Sequence, residues 1–276
     1  MKKLIANEWK LLWKRKVVWL IFFSIPIMVY AAAKFTLFQN TTTDPSKAHY
    51  AVAGNFPLLG LSEMLMTAFN FIVLAVVTMV VTEEYRSGQL RLILIRTYSF
   101  RQLIFSKYFA VMGLMFVYLF SYFVICYFMG YGLFPKSASY PQFYEEGHIT
   151  NLEGLIYNLK FYGLAYLTML AMGTIIFYIA IVSKTTTTAI GIGIGFLLFS
   201  FMYPNILYIF GQAMSNELLM KLFFTSIPMI QWQGLTLMLA KTNNLFTWNV
   251  VILCGYILLF HTFILLNTKL NKDIFI

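Results

Sequence analysis

A chain of 276 residues that is 60% hydrophobic and only 11% charged cannot cover itself with a water-soluble surface, because soluble domains carry about 25% charged residues. Its net charge of +10 stems from basic residues gathered at the ends of long apolar runs, which indicates a membrane protein and argues against nucleic acid as a partner. Cys126 and Cys254 both fall inside such runs, so neither a disulfide nor a metal site is predicted from them.

Long apolar runs divide the chain into membrane-spanning helices. A helix needs about 20 apolar residues to cross a bilayer core, and lipid offers the backbone no hydrogen-bond partner outside the helix itself. We therefore predict an all-α integral membrane protein, with one transmembrane domain over residues 1–276 and six transmembrane helices. The spans are expected at about 17–37, 61–82, 104–130, 157–182, 189–210 and 248–267.

The basic residues predict the orientation of the spans. Six lysines and arginines precede the first apolar run, and five more lie between the second and third runs. Because cytoplasmic loops are enriched in such residues, we expect the segment 83–101 and both termini on the cytoplasmic side of the cell (plasma) membrane. The basic start followed by an apolar run also resembles a cleavable signal peptide, but the basic region is long, and an inside start agrees with an even number of spans.

Residues 1–16 have the pattern of an interfacial helix, which lies along the membrane surface. At 100° per residue its apolar face carries Ile5, Trp9, Leu12 and Trp13, and lysines occupy the opposite face. Leu4 and Leu11 lie off this stripe, so the pattern is imperfect. A basic leader without any further role remains the alternative.

Residues 222–240 decide between six and seven spans. The run is long enough to cross the membrane, yet its middle contains Pro228, Gln231 and Gln233, and polar side chains are costly against lipid. We predict re-entrant exterior helices over 217–241, which enter the membrane and return. A complete seventh crossing would instead place the carboxy terminus outside.

Few side chains in the predicted spans could carry chemistry. Gly191 and Gly195 lie inside a span at the four-residue spacing that lets membrane helices approach closely, so helix packing is their predicted role. His261 is the only ionisable residue near the middle of a span, and we expect it to donate one hydrogen bond to a neighbouring helix rather than to take part in transport. No Asp, Glu, Lys or Arg is expected deep in a span, so ion-coupled transport lacks relay groups. The energy source is expected outside the membrane portion, and we predict no catalytic residue and no metal ligand.

The stretch after the second run resembles a known family. It begins Glu83-Glu84-Tyr85-Arg86-Ser87-Gly88-Gln89-Leu90 and ends Ser99-Phe100-Arg101-Gln102-Leu103-Ile104-Phe105-Ser106-Lys107, where Ser99 and Gln102 match a capping box. With six spans, an amphipathic start and helices before the last span, this layout resembles the membrane (permease) subunit of type-2 ABC transporters. In that family an acidic residue, a glycine and a leucine are followed by a serine-arginine pair and a lysine that opens the third span. Here Phe100 separates Ser99 from Arg101.

The resemblance implies one half of an ATP-driven exporter that is not itself an enzyme. No cofactor is expected on this chain, and ATP and Mg would bind to partner cytoplasmic ABC ATPase subunits. A second membrane subunit, identical or related, and membrane lipid are the other implied partners. The implied substrate is amphiphilic or hydrophobic, such as a peptide, a drug or a lipid-linked molecule, with antimicrobial peptide resistance as a family analogy.

The resemblance also implies which residues couple the chain to the ATPase: Glu83, Glu84, Arg86, Gly88, Leu90, Arg91 and Leu94. For the charged members of this set, a solvated cap on a helix end is the alternative. For the whole chain, the alternatives are a membrane-embedded enzyme that acts on lipid or prenyl substrates and a non-transporting scaffold.

Overall fold

The computed structural model describes residues 1–87, 99–144, 147–183, 185–211, 214–241 and 245–270, with the backbone alone at 84–87, 269 and 270. In this part of the chain, six helical segments are long and apolar enough to cross a membrane: Lys16–Asn40, Phe56–Glu83, Phe100–Leu133, Asn151–Ser183, Thr186–Phe210 and Phe246–Thr268. The predicted all-α membrane fold with six spans is confirmed.

The elements follow one another from α1 to α11. They are α1 (Lys2–Lys14), α2 (Lys16–Asn40), α3 (Phe56–Met64), a π-helical turn (Leu65–Phe69), α4 (Asn70–Ser87), α5 (Phe100–Leu133), β1 (Ser139–Pro141), β2 (His148–Thr150), α6 (Asn151–Ser183), α7 (Thr186–Phe210), α8 (Asn216–Phe223), α9 (Ile227–Met229), a second π-helical turn (Ile230–Gly234), α10 (Leu235–Met238) and α11 (Phe246–Leu270). The antiparallel β1–β2 hairpin, which pairs Tyr140 with Ile149, is a feature that the sequence analysis did not predict.

Side-chain caps define where two of the spans begin. The Ser99 hydroxyl accepts from the backbone N–H of Gln102 at 3.3 Å, and the Gln102 side chain accepts in return from the N–H of Ser99 at 3.2 Å. This is the predicted capping box, and it satisfies two N–H groups that would otherwise lack a helical partner. Thr185 caps α7 in a similar way, accepting from the N–H of Thr188 at 3.3 Å.

The fourth span, α6, is the centre of the bundle. Two thirds of its apolar window (67%) is buried, whereas only 17% is buried in the fifth and sixth spans. Small residues let neighbouring helices approach α6: Ala165 and Ala171 are fully buried, and a Cβ on Gly173 would lie 2.9 Å from the Met112 side chain of α5. Close backbone approach over small residues is the usual basis of helix packing in lipid.

Helix α1 packs against the third span, so its buried side differs from the predicted stripe. Leu4 and Leu12 are buried while Leu11 is exposed, and the Trp9 ring lies 3.2 Å from the position that a Cβ on Gly113 would occupy. Leu4, which lies off the predicted stripe, is buried all the same, because packing against α5 selects the side of α1 that is buried. That α1 lies along the membrane surface stays a prediction.

The segment between the fifth and sixth spans is broken into short helices. Pro228 lies in the first turn of α9, and the π-helical turn Ile230–Gly234 separates α9 from α10. Gln231 is fully buried, where it exchanges hydrogen bonds with the Asn70 side chain at 2.6 and 3.2 Å and donates to the Thr168 hydroxyl at 3.2 Å. The segment is thus no seventh span, but its predicted entry into the membrane stays a prediction.

Candidate functional site

One end of the bundle brings together α1, the start of α2, the end of α4 and the starts of α5 and α7. We call it the basic end, because lysines and arginines of residues 1–16 lie there with Arg101 and Lys107. Three side-chain contacts between separate elements hold this end together. They connect residues that are far apart in sequence, so each one couples the position of one helix to another.

The first contact joins the α1–α2 junction to the end of the second span. The Arg15 guanidinium forms an ion pair with the Glu83 carboxylate and donates to the Met79 carbonyl at 3.4 Å. Arg15 is 22% exposed and Glu83 is 62% exposed, so one face of the carboxylate remains open to solvent or to a partner protein. Glu83 therefore has an ion-pair partner at the start of the first span, while its role in coupling stays a prediction.

The other predicted coupling residues lie outside what the structure describes in full. Glu84 and Arg86 fall where only the backbone of α4 is described. Gly88, Leu90, Arg91 and Leu94 lie outside the described residues. Their role in coupling stays a prediction.

The second contact is a buried ion pair that the sequence analysis missed. The Lys107 ammonium donates to the Glu8 carboxylate at 2.8 Å, and the two side chains are only 2% and 6% exposed. Lys107 lies two turns inside α5, near the end of the span and not deep within it, so this pair does not contradict the expectation that no charge lies deep in a span. A signal was present, because Glu8 stands four residues from both Leu4 and Leu12 and so shares the buried side of α1.

The third contact ties the second span to the fifth. The hydroxyl groups of Thr82 and Thr186 lie 2.6 Å apart and share one hydrogen bond. Thr186 is the first residue of α7, so the end of one span fixes the start of the other.

A cavity of about 400 Å³ opens beside the Arg15–Glu83 ion pair. Apolar side chains of the first and second spans line it, together with charged and hydroxyl groups. The lining consists of Val17, Val18, Val76, Met79 and Val80 with Arg15, Lys16, Glu83 and Thr186. An apolar wall beside charged groups suits a molecule with both apolar and polar parts.

Aromatic rings connect α1 to the interior of the bundle. The Trp13 ring lies 5.1 Å from Phe22 of α2, and Phe22 lies 5.6 Å from Tyr118 of α5. Tyr118 in turn contacts Phe69 of the first π-helical turn at 5.3 Å. Of the predicted interfacial residues, Leu12 is buried and Ile5, Trp9 and Trp13 are partly buried.

The glycines predicted to pack helices face away from their own bundle. A Cβ added to Gly191 or Gly195 would meet no described atom within 4 Å, whereas one on Gly193 would collide with the Leu74 side chain of α4. Within the described chain the close approach is therefore made by Gly193. Packing at Gly191 and Gly195 needs a helix from another subunit, and it stays a prediction.

His261, on the sixth span, is half-buried and lies beside aromatic rings of α5. Its ring centroid is 5.0 Å from that of Phe105 and 5.9 Å from that of Tyr108. Within the described part of the chain, His261 makes these ring contacts and no hydrogen bond to a neighbouring helix.

Comparison with models of protein families identifies the family of this chain. A family model described as ABC-2 family transporter protein matches residues 4–202, which is well over half of the chain. The match begins in α1 and runs through the first four spans into α7, so it includes the three contacts of the basic end. Comparisons with curated proteins and with solved structures gave no match. The chain belongs to the ABC-2 transporter family and is a multi-pass membrane permease, a transport component rather than an enzyme.

Proposed function

We propose that this permease is one half of an ATP-driven exporter, energised by a separate ABC ATPase subunit that docks at the basic end. The segment after the second span would receive the movement of the ATPase. A second membrane subunit, a copy of this chain or a relative, would complete the pathway. ATP and Mg would bind to the ATPase alone.

The three contacts at the basic end carry this proposal. A displacement of the segment after Glu83 would act on α1 and α2 through Arg15, and on α7 through Thr82 and Thr186. The Glu8–Lys107 pair connects α1 to the third span. Four spans would thus respond to a movement that begins at one short segment. An ATPase docked at that segment could therefore move most of the bundle.

The cavity beside Glu83 supports an amphiphilic or hydrophobic substrate. Its apolar lining suits the hydrocarbon part of a peptide, a drug or a lipid-linked molecule, and the charged lining residues Lys16 and Glu83 suit a polar part. Resistance to antimicrobial peptides is one physiological role that such a substrate class would serve.

The basic end is proposed to face the cytoplasm. Excess lysine and arginine marks the cytoplasmic side of membrane proteins, and cytoplasmic ATPases reach only that side. The β1–β2 hairpin and helices α8–α10 would then lie at the exterior surface, with the last of these helices dipping into the membrane.

Co-purification with an ATPase tests the proposal. The tagged chain is purified from its own host in mild detergent, and partners are identified by mass spectrometry. We expect an ATPase subunit with a phosphate-binding loop. We expect the E84K/R86E variant to recover about tenfold less of it, because reversed charges at an interface cost more than about 1.4 kcal/mol.

The E217K/K221E variant is the matched control. It also reverses one acid and one base, but at an exposed pair in α8, where the Lys221 ammonium donates to Glu217 at 2.6 Å, far from the basic end. It is expected to recover the ATPase as the unmodified chain does. The proposal would be contradicted if the chain purified without any ATPase and if substrate flux through the reconstituted protein did not change when ATP was added.

A further inference from the structure

A cleft of about 570 Å³ separates the start of the third span from the last part of the sixth span. It lies at the basic end and shares no lining residue with the cavity next to Glu83. Phe105, His261 and Leu265 form its walls. The exposed residues Met1, Ser99, Arg101 and Gln102 complete its lining.

Among the described residues, the lining of the cleft is basic and contains no acidic group. Arg101 is exposed, and its guanidinium lies 5.8 Å above the Phe105 ring. The described residues give this guanidinium neither a hydrogen bond nor an ion pair, and no Asp or Glu lines the cleft. A guanidinium with free donors binds phosphate in a planar, two-pronged geometry.

The depth of the cleft indicates what kind of phosphate it suits. Arg101 and Gln102 lie in the first turn of a span, where the bilayer core is expected to end. Phe105 lies four residues further, about 6 Å deeper along the same helix face. Leu265 stands in the last turn of the sixth span, opposite. A ligand here would therefore meet a cation at headgroup level and apolar walls at acyl-chain level.

We propose that this cleft binds one anionic phospholipid of the leaflet at the basic end, with its phosphate at Arg101 and its acyl chains along Phe105 and Leu265. A free phosphate would leave the apolar walls uncovered. A zwitterionic lipid would bring its own ammonium group beside Arg101. The bound lipid would fill the gap between the third and sixth spans and so stabilise the sixth span, of which only 17% is buried by protein.

Native mass spectrometry of the full chain in detergent tests the proposal, with phosphatidylglycerol and phosphatidylcholine as probes. We expect one phosphatidylglycerol to stay bound and to raise the melting temperature, and phosphatidylcholine to do neither. Arg101→Gln is expected to weaken phosphatidylglycerol binding about 5- to 10-fold, since it removes one charge-assisted contact. Arg101→Lys keeps the charge and should recover part of this binding. Such a recovery would show that the loss in Arg101→Gln comes from the missing charge and not from misfolding.

Two further variants separate a built site from general surface charge. Lys14→Gln removes an equal charge from an exposed position at the same end and is expected to leave binding unchanged. Leu265→Trp fills the cleft and is expected to reduce binding with the charge intact. Equal losses in R101Q and K14Q, full binding in L265W, equal binding of phosphatidylcholine, or displacement of the lipid by glycerol phosphate would each overturn the proposal.

Discussion

At the scale of single residues, the buried Glu8–Lys107 pair is the most consequential feature of the basic end. Two charges held 2.8 Å apart and almost completely enclosed gain strong mutual attraction but lose their hydration. The pair therefore adds little net stability compared with an apolar pair of similar size. Its effect is to specify position, because α1 can bury this side only where a lysine of the third span meets its carboxylate.

Removing one partner of this pair is expected to destabilise the protein. Glu8→Leu removes the Glu8 carboxylate from the buried Lys107 ammonium, and breaking a buried ion pair in this way costs about 3 kcal/mol. The double variant E8L/K107M removes both charges and should lose less than E8L alone. Thermal unfolding in detergent gives the comparison, and a double variant that is less stable than E8L would contradict this account.

At the scale of elements, two π-helical turns lie against each other where the second span meets the helices before the sixth. π-helical turns occur mostly at functional positions, because the extra residue redirects side chains from their normal register. Here Asn70 follows the first turn and Gln231 lies in the second. Both side chains are fully buried, and their amide groups form hydrogen bonds with each other. This pairing ties α9 and α10 to the second and fourth spans.

Gln231→Leu should loosen this connection. Asn70 and Thr168 would lose their amide partner, and an unmet buried polar group costs about 1–3 kcal/mol. Gln233→Leu, two residues on and exposed, serves as the control and is expected to leave stability unchanged. Hydrogen exchange of residues 227–238 and thermal unfolding measure both effects. Equal exchange in the two variants would mean that the amide pair does not hold this segment.

At the scale of the whole molecule, burial is uneven among the spans. The fourth span is enclosed by its neighbours, while the fifth and sixth expose most of their surface. On the fifth span, Gly193 faces inward against α4, and Gly191 and Gly195 face outward. Outward glycines leave room for the backbone of another helix, so this face of α7 suits the proposed second membrane subunit.

The double variant G191L/G195L is expected to weaken this association. Two leucines would prevent close helix approach, and we expect about tenfold less of the second membrane subunit to be recovered with the tagged chain. G163L/G255L makes the same change at exposed glycines of the fourth and sixth spans, which also have no described atom within 4 Å. Equal recovery in the two double variants would show that the glycines of α7 have no particular role in assembly.

The site was only partly accessible to sequence reasoning. The spacing of Ser99 and Gln102 predicts the capping box, because a cap depends on residues within one helical turn. Glu83 was singled out by resemblance, but its partner Arg15 was not, because nothing local relates residues separated by 68 positions. Glu8 and Lys107 were missed for the same reason, and the packing of α1 on α5 decided that Leu4 is buried.

The sequence by itself determined the six spans, the all-α class and the excess of basic residues at one end, because hydropathy and charge act on each segment independently of its neighbours. The tertiary structure alone decided which side of each helix is buried, which charges meet, and that Gly193 rather than Gly191 or Gly195 makes the close contact within the chain. In lipid every side of a span is apolar, so hydrophobicity cannot select the packed face. Shape and polar pairing select it instead.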